Sequence, residues 1–234
     1  GHYAQVREEK GRYVVSKGVD EWKDQSYVLW GLSQECLKRT IFPMGKFHKD
    51  DIKQMAIDRG YQELAQKPES YEICFIPDND YRGFLKRRVD GLEDKVKGGN
   101  FVNKQGEVLG THDGYPFYTI GQRKLGVSFG DDATYVLEIR PETNEVVIGS
   151  PEDLKKQQMF VKGLNFVKYD SITDGFEALT KVRYKHNGEM SVLKNIDNEI
   201  EVIFHKEVQG IAPGQSAVFY EGNDLLGGGF IAKR

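Results

Sequence analysis

The sequence predicts an α+β fold, mainly β, in three parts: a helical segment, a small central β-rich domain and a C-terminal β-barrel. Three observations lead there. Apolar residues recur at helical spacing in the first third, for example Leu29, Leu32 and Cys36. From Asn100 onward, short β-prone runs alternate with Gly and Asn turns. The last third then holds six short strands at regular spacing, the pattern of a small closed or nearly closed barrel. A chain of 234 residues, 38% apolar and 29% charged, has the composition of a folded protein with room for up to three small domains. We place the parts at 1–84, 85–156 and 157–234.

In order, "GHYAQVREEKGRYVVSKG" reads as a hairpin whose second strand closes on Gly18. The stretch "DEWKDQSYVLWGLSQECLKRT" predicts a helix capped by Asp24 or Ser26, with Cys36 as a small core residue. "HKDDIKQMAIDRG" predicts a second helix, capped by Asp50 or Asp51, lined by Ile52, Met55 and Ala56, and ended by Gly60. "YRGFLKRRVDGLEDKVKGG" is a short amphipathic segment with a basic cluster. "ATYVLEIRPETNEVVIGS" is a hairpin, and "SPEDL" a helix start with Ser150 as cap. In "APGQSAVFY", Pro213-Gly214 predict a type II turn before a strand with Ala217 and Phe219 inward. Three glycines in "LLGGGFI" predict a bulge or a close backbone approach.

A formal charge of −3 argues against non-specific DNA binding, yet leaves room for a local basic strip. Two cysteines thirty-eight residues apart make no disulfide framework and fit a reducing, cytoplasmic setting. No run is long and apolar enough for a membrane span, and no Cys/His spacing predicts a metal site.

Three segments could carry chemistry. Cys74 lies in "YEICFIPDND", either as a buried small hydrophobe or as a thiol at the lip of a site beside an acidic turn. Burial tendency favours the first reading. "GQRK", after "FYTI", sets Arg123 and Lys124 behind a glycine turn at a strand end, as solvated charges or as phosphate ligands. "KVRYKH" reads as a strand with Val182 and Tyr184 on one face and Lys181, Arg183 and Lys185 on the other. That is an edge strand guarded by lysines, or a basic stripe suited to RNA.

Taken together, "GHYA", "KDQSYVL", "ICFI", "YTIGQRK", "VRY", "PGQSAVFY" and "LGGGFI" stand in the order and spacing of the bacterial tRNA-specific 2-thiouridylases, which this chain resembles over almost its whole length. The resemblance implies a helical remnant of an α/β ATP pyrophosphatase-type domain, a small central β-domain and a barrel like those of translation factors. It also implies that the chain is the C-terminal two-thirds of the enzyme, lacking the N-terminal phosphate-loop portion and inactive by itself.

The family's chemistry is ATP-dependent transfer of sulfur from a cysteine persulfide to the wobble uridine of tRNA. ATP adenylates the 2-oxygen, the persulfide sulfur bonds the adjacent carbon, and an upstream cysteine releases it through a disulfide. By position, Cys74 is implied as the persulfide carrier, and Gly1 as the residue against ATP. His2, Lys23, Asp24, Gln25, Arg183, Tyr184 and Gln215 are implied to contact tRNA, with Gln122 and Arg123 structural and tRNA-facing. Implied partners are tRNA, a persulfide sulfur-donor protein, and ATP with Mg2+ held mainly by the N-terminal part. Where the family has Gly-Ile-Cys-Phe-Ile-Gly, this chain reads "EICFIP", and "GQRKLGVSFG" lacks the usual Gly-Leu-Gly. The rival reading is a non-catalytic RNA-binding module with a structural cysteine.

Overall fold

The computed structural model describes residues 2–67, 76, 78, 80–127, 129 and 133–233. The chain divides into two compact units: residues 1–67 with 156–234, and residues 68–155. The first unit is built on six strands: β7 (Lys155–Phe166), β8 (Phe176–Lys181), β9 (Glu189–Ile196), β10 (Glu199–Gln209), β11 (Ser216–Glu221) and β12 (Asp224–Ile231). They run in the order β12-β11-β8-β9-β10-β7, and pairing of β12 with β7 closes the ring. The expected barrel is therefore present, and closure leaves it no free edge.

Alternation along β11 sends Ala217 and Phe219 into the barrel interior, with Val161, Leu193, Ile200, Phe204 and Leu226. Its other face, Val218 and Tyr220, is equally buried, against Ala4, Val15, Tyr27, Trp30 and Leu37. The cover comes from the N-terminal part. Strands β1 (Ala4–Glu9) and β2 (Arg12–Lys17) form the expected hairpin, with Lys10 and Gly11 at φ 52° and 78° in its tight turn. β2 then pairs with β12 at Ser16 and Asp224.

The triple glycine of β12 is where two layers meet. A Cβ on Gly228 would lie 2.6 Å from the Ala217 carbonyl oxygen and 2.9 Å from the Trp30 ring. Gly227 adopts φ +156° and faces the Asn165 carbonyl. Only backbone fits between barrel and cover, which is the close approach that the sequence predicts.

An ionic cluster fastens the hairpin. Both guanidinium nitrogens of Arg7 donate to the Asp224 carboxylate at 2.9 Å, Ser16 Oγ donates at 2.7 Å and Lys168 Nζ at 2.7 Å. Arg7 first among these donors holds the Asp224 carboxyl far below the usual carboxylate range, against the opposing effect of burial.

The helical expectation for residues 24–39 is corrected. Ser26–Leu29 is a single 3-10 turn, and α1 (Gln34–Lys38) starts afresh with Ser33 accepting from the Cys36 N–H at 3.2 Å. Gly31 interrupts the run, and the restart rotates the face: Leu37 is buried and Cys36 is exposed. Helix α2 (Lys49–Asp58) is as predicted, except that His48 takes the cap position and Asp51 reaches back to its N–H at 3.2 Å. It ends at Gly60, φ +83°, followed by α3 (Gln62–Gln66).

The second unit carries α4 (Tyr81–Arg88), α5 (Leu92–Val96) and a four-stranded sheet, β4 (Val108–His112), β3 (Gly99–Val102), β6 (Glu145–Gly149) and β5 (Tyr135–Arg140), in that spatial order. Phe101 is its centre, with the rings of His112, Tyr118 and Phe129 edge-on at 5.0, 5.2 and 5.1 Å. His112 Nδ1 accepts from the Gly114 N–H at 3.0 Å, and burial lowers its pKa.

Candidate nucleic-acid interface

The stretch Lys23-Asp24-Gln25 is held by what its polar groups do to the backbone. Asp24 accepts through Oδ1 from the Gly18 N–H at 3.0 Å and through Oδ2 from Ser26 Oγ at 2.9 Å. The Gln25 N–H donates to the Tyr3 carbonyl at 3.0 Å, and Gln25 Oε1 pairs with His2 Nδ1 at 3.1 Å. Below them Ser26 Oγ meets Tyr220 Oη at 3.0 Å, and Tyr27 Oη donates to the Ser216 carbonyl at 2.7 Å. An N-terminal loop is thus pinned to the start of a barrel strand nearly two hundred residues later.

Here the reading of "KVRYKH" as one strand is corrected. β8 pairs with β11 only as far as Lys181 and Val218. Val182 enters the barrel interior, and Arg183–His186 form a turn closed by the His186 N–H on the Arg183 carbonyl at 3.0 Å. Arg183 and Tyr184 are therefore both exposed, instead of pointing to opposite faces. Tyr184 Oη donates to the Asp24 carbonyl at 3.0 Å, and its ring meets Tyr27 edge-on at 6.0 Å. Partial burial there raises the Tyr184 pKa. Lys181 is half-buried beside Asp24 and Lys17, and burial lowers its pKa.

Arg183 lies along the loop at Gly210, whose added Cβ would sit 3.4 Å from its Nη1. That loop leads into the type II turn Ala212–Gln215, with Gly214 at φ +84° and the Gln215 N–H on the Ala212 carbonyl at 3.1 Å. Gln215 is exposed and adjoins Ser216, the residue that receives Tyr27 and Trp30. Gln25 is thereby joined to His2 and Asp24 to Tyr184, with Lys23 and Arg183 next to them in the chain.

The remaining expected residues stand elsewhere. Gly1 and Cys74 lie outside the described residues. Beside Cys74, Asp80 caps α4 by accepting from the Gly83 N–H at 2.9 Å, and Asp78 pairs with Arg87 at 3.0 Å. The acidic turn thus serves the helix that follows. Gln122 and Arg123 belong to the second unit, after an irregular "FYTI" rather than a strand. The Gln122 side chain accepts from the Thr119 N–H at 3.1 Å and donates to the Lys124 carbonyl at 2.7 Å, so it is spent on its own turn; Arg123 is exposed. Trp22, amid "DEWKD" and outside any apolar period, is 94% exposed.

Family comparison divides the chain in the same order. Residues 1–78 match the tRNA methyl transferase HUP domain, 82–150 the tRNA methyl transferase PRC-barrel domain, and 156–231 the aminomethyltransferase beta-barrel domain. Two of the three descriptions name a tRNA methyl transferase. More narrowly, the chain is similar to tRNA-specific 2-thiouridylases. It is 56% identical to the tRNA-specific 2-thiouridylase MnmA of Cytophaga hutchinsonii over 233 residues, 99% of this chain and 63% of that relative. Against the proteins of the same name from Amoebophilus asiaticus and Salinibacter ruber, identity is 55% and 49%, again over 99% of this chain and over 62% and 61% of theirs. The chain thus spans less than two-thirds of the length of these curated relatives.

Proposed function

We propose that this chain is the tRNA-binding and persulfide-bearing portion of an enzyme that places sulfur on carbon 2 of the tRNA wobble uridine. What carries the RNA-binding reading is that the adjacent residues Gln25 and Asp24 hold His2 and Tyr184, respectively. The exposed ring of Tyr184 suits an unstacked base, and Lys23 and Arg183 suit its phosphates. Gln215, exposed on its turn, is a further candidate contact. Arg123, exposed on the turn that Gln122 shapes, supplies a second, smaller contact.

Kinship to the 2-thiouridylases supports the chemistry. Cys74 carries the sulfur: a thiolate or persulfide is the nucleophile, which neighbouring cations stabilise. A persulfide-donor protein loads it. Residues 1–84 belong to the ATP pyrophosphatase-type catalytic part, 85–156 to the central domain and 157–234 to the barrel. ATP with Mg2+ activates the base when bound. Among the described residues no group of three His, Cys, Asp or Glu could hold the metal, so no step is assigned to them through it. The chain alone, acting in the cytoplasmic enzyme only as a part, binds tRNA without thiolating it.

The test is thiolation by the full-length enzyme supplied with ATP, persulfide donor and tRNA. Cys74→Ala should abolish 2-thiouridine formation and leave tRNA affinity within about twofold, since it removes no phosphate contact. Normal thiolation by that variant would return Cys74 to a packing role and the chain to an RNA-binding module.

A further inference from the structure

We propose that Trp22 is a platform on which an unpaired base of the tRNA stacks. The inference rests on the RNA-binding reading above and adds a contact outside the family motifs that carry it.

Trp22 is 94% exposed, whereas Trp30, the other of two tryptophans, is 8% exposed. A fully solvated indole forgoes the burial that normally stabilises this side chain. Yet the backbone beneath it is fixed. Asp20, itself buried, accepts from the N–H groups of Trp22 at 3.1 Å, Lys23 at 3.2 Å and Lys49 at 2.9 Å. The Lys23 N–H also closes the turn on the Asp20 carbonyl at 3.1 Å. An aspartate at the first position suffices to make such a turn, and nothing in its geometry asks for tryptophan at the third.

Two residues along the chain, the Asp24 carbonyl receives Tyr184, and the next residue, Gln25, holds His2. Trp22 is therefore next to Lys23 in the chain and two residues from the carbonyl that holds the exposed Tyr184, the neighbour of the exposed Arg183. An exposed ring on a fixed backbone, with cations close by, is how single-stranded RNA is gripped: the ring takes a base and the cations take phosphates. The chain neighbours of Trp22 are Glu21 and Lys23, so no apolar run surrounds it in sequence. Interface cores between proteins are depleted of such charges, which favours a base over a protein partner.

Tryptophan emission reads this directly. Trp30 is buried with Nε1 on Ser216 Oγ at 3.0 Å, so collisional quenching by acrylamide reports Trp22. Adding unmodified tRNA transcript to the 234-residue chain should quench that emission and shield it from acrylamide. Trp22→Ala should remove the signal and weaken tRNA binding about tenfold, with an unchanged salt slope, because stacking and not a phosphate contact is lost. Trp22→Phe should recover part of the affinity. Wild-type affinity in Trp22→Ala, with acrylamide access unaltered by bound tRNA, would overturn the stacking and leave the RNA-binding reading standing. No tRNA binding by the wild-type chain would overturn both. Shielding of Trp22 by a protein partner and never by tRNA would make it a protein contact and overturn the proposal.

Discussion

The two units present their RNA-facing candidates by opposite means. In the barrel unit, His2, Asp24, Gln25 and Tyr184 meet because a loop, a hairpin and a barrel strand are packed together, and Tyr184 reaches a carbonyl 160 residues away in sequence. In the central unit, Gln122 and Arg123 are neighbours in one turn, and Gln122 spends its side chain within two or three residues of itself. The anchors differ likewise. The barrel unit clamps its hairpin with a carboxylate shared by Arg7, Ser16 and Lys168, whereas the central unit packs rings around Phe101 with a buried neutral imidazole among them. A face assembled by tertiary contact should fail as a whole when its clamp fails; a face made by one turn should not.

The clamp is the largest lever. Asp224→Ala leaves Arg7 without its bidentate partner and Lys168 with Glu221 alone, at a cost of about 3 kcal/mol. Hydrogen exchange should rise through β1, β2 and β12 and stay put in β3–β6. The same contribution has a pH signature. Because the Asp224 pKa is depressed in the folded state, its stabilisation is complete above the ordinary value of 3.8 and fades as pH falls below it. Asp224→Asn should flatten the acid limb of the barrel unit's unfolding. Next comes Gly228→Ala, which drives a methyl into the Trp30 ring and the Ala217 carbonyl and should cost about 2 kcal/mol in a urea titration. Its effect on tRNA affinity should exceed that of any equally destabilising change in the central unit, because Trp30 supports Ser216 and the turn carrying Gln215.

His112 sharpens the contrast from the other side. Its folded pKa lies below the ordinary 6.5, chiefly through burial, so the neutral ring is stabilising above pH 6.5 and the contribution is lost as pH falls through that value. His186 acts in the same direction in the barrel unit, where burial and Arg183 lower its pKa. His112→Asn, whose carbonyl can still accept the Gly114 N–H but takes no proton, should remove the loss between pH 7 and 5 from the central unit alone. Thermal unfolding followed by exchange in β3 and β4 would check this.

Much of this was legible in the sequence, and what was not has physical causes. Six barrel strands, the two hairpins and the glycine seam of β12 follow from period-two patterning and turn chemistry, which act locally. The helix expected over residues 24–39 failed because Gly31 breaks the run and packing on β11 selects Leu37 over Cys36. "KVRYKH" failed as a strand because Val182 gains more from the barrel interior than from continuing the ladder, and Asp24 rewards the turn by accepting from Tyr184. Both failures sit where distant segments meet, and the candidate RNA-facing set draws on such meetings. Resemblance named its members, but only the fold shows His2 on Gln25 and Tyr184 on the Asp24 carbonyl.

The smallest effect separates support from contact. Tyr184→Phe deletes one hydrogen bond to the Asp24 carbonyl and keeps the ring against Tyr27, so it should cost about 1 kcal/mol or less in stability. If the hydroxyl only positions the ring, tRNA affinity should change no more than about twofold, while Tyr184→Ala, which removes the plate as well, should weaken it several-fold. Gln122→Ala is the matching change in the central unit: it loosens the Thr119–Lys124 turn by a similar amount and, with Arg123 intact, should leave tRNA affinity unchanged. Filter binding of tRNA at two salt concentrations distinguishes the cases. Equal losses for Tyr184→Phe and Tyr184→Ala would mean that the hydroxyl itself meets RNA, and an affinity loss in Gln122→Ala would mean that the local turn is as much a part of the interface as the assembled face.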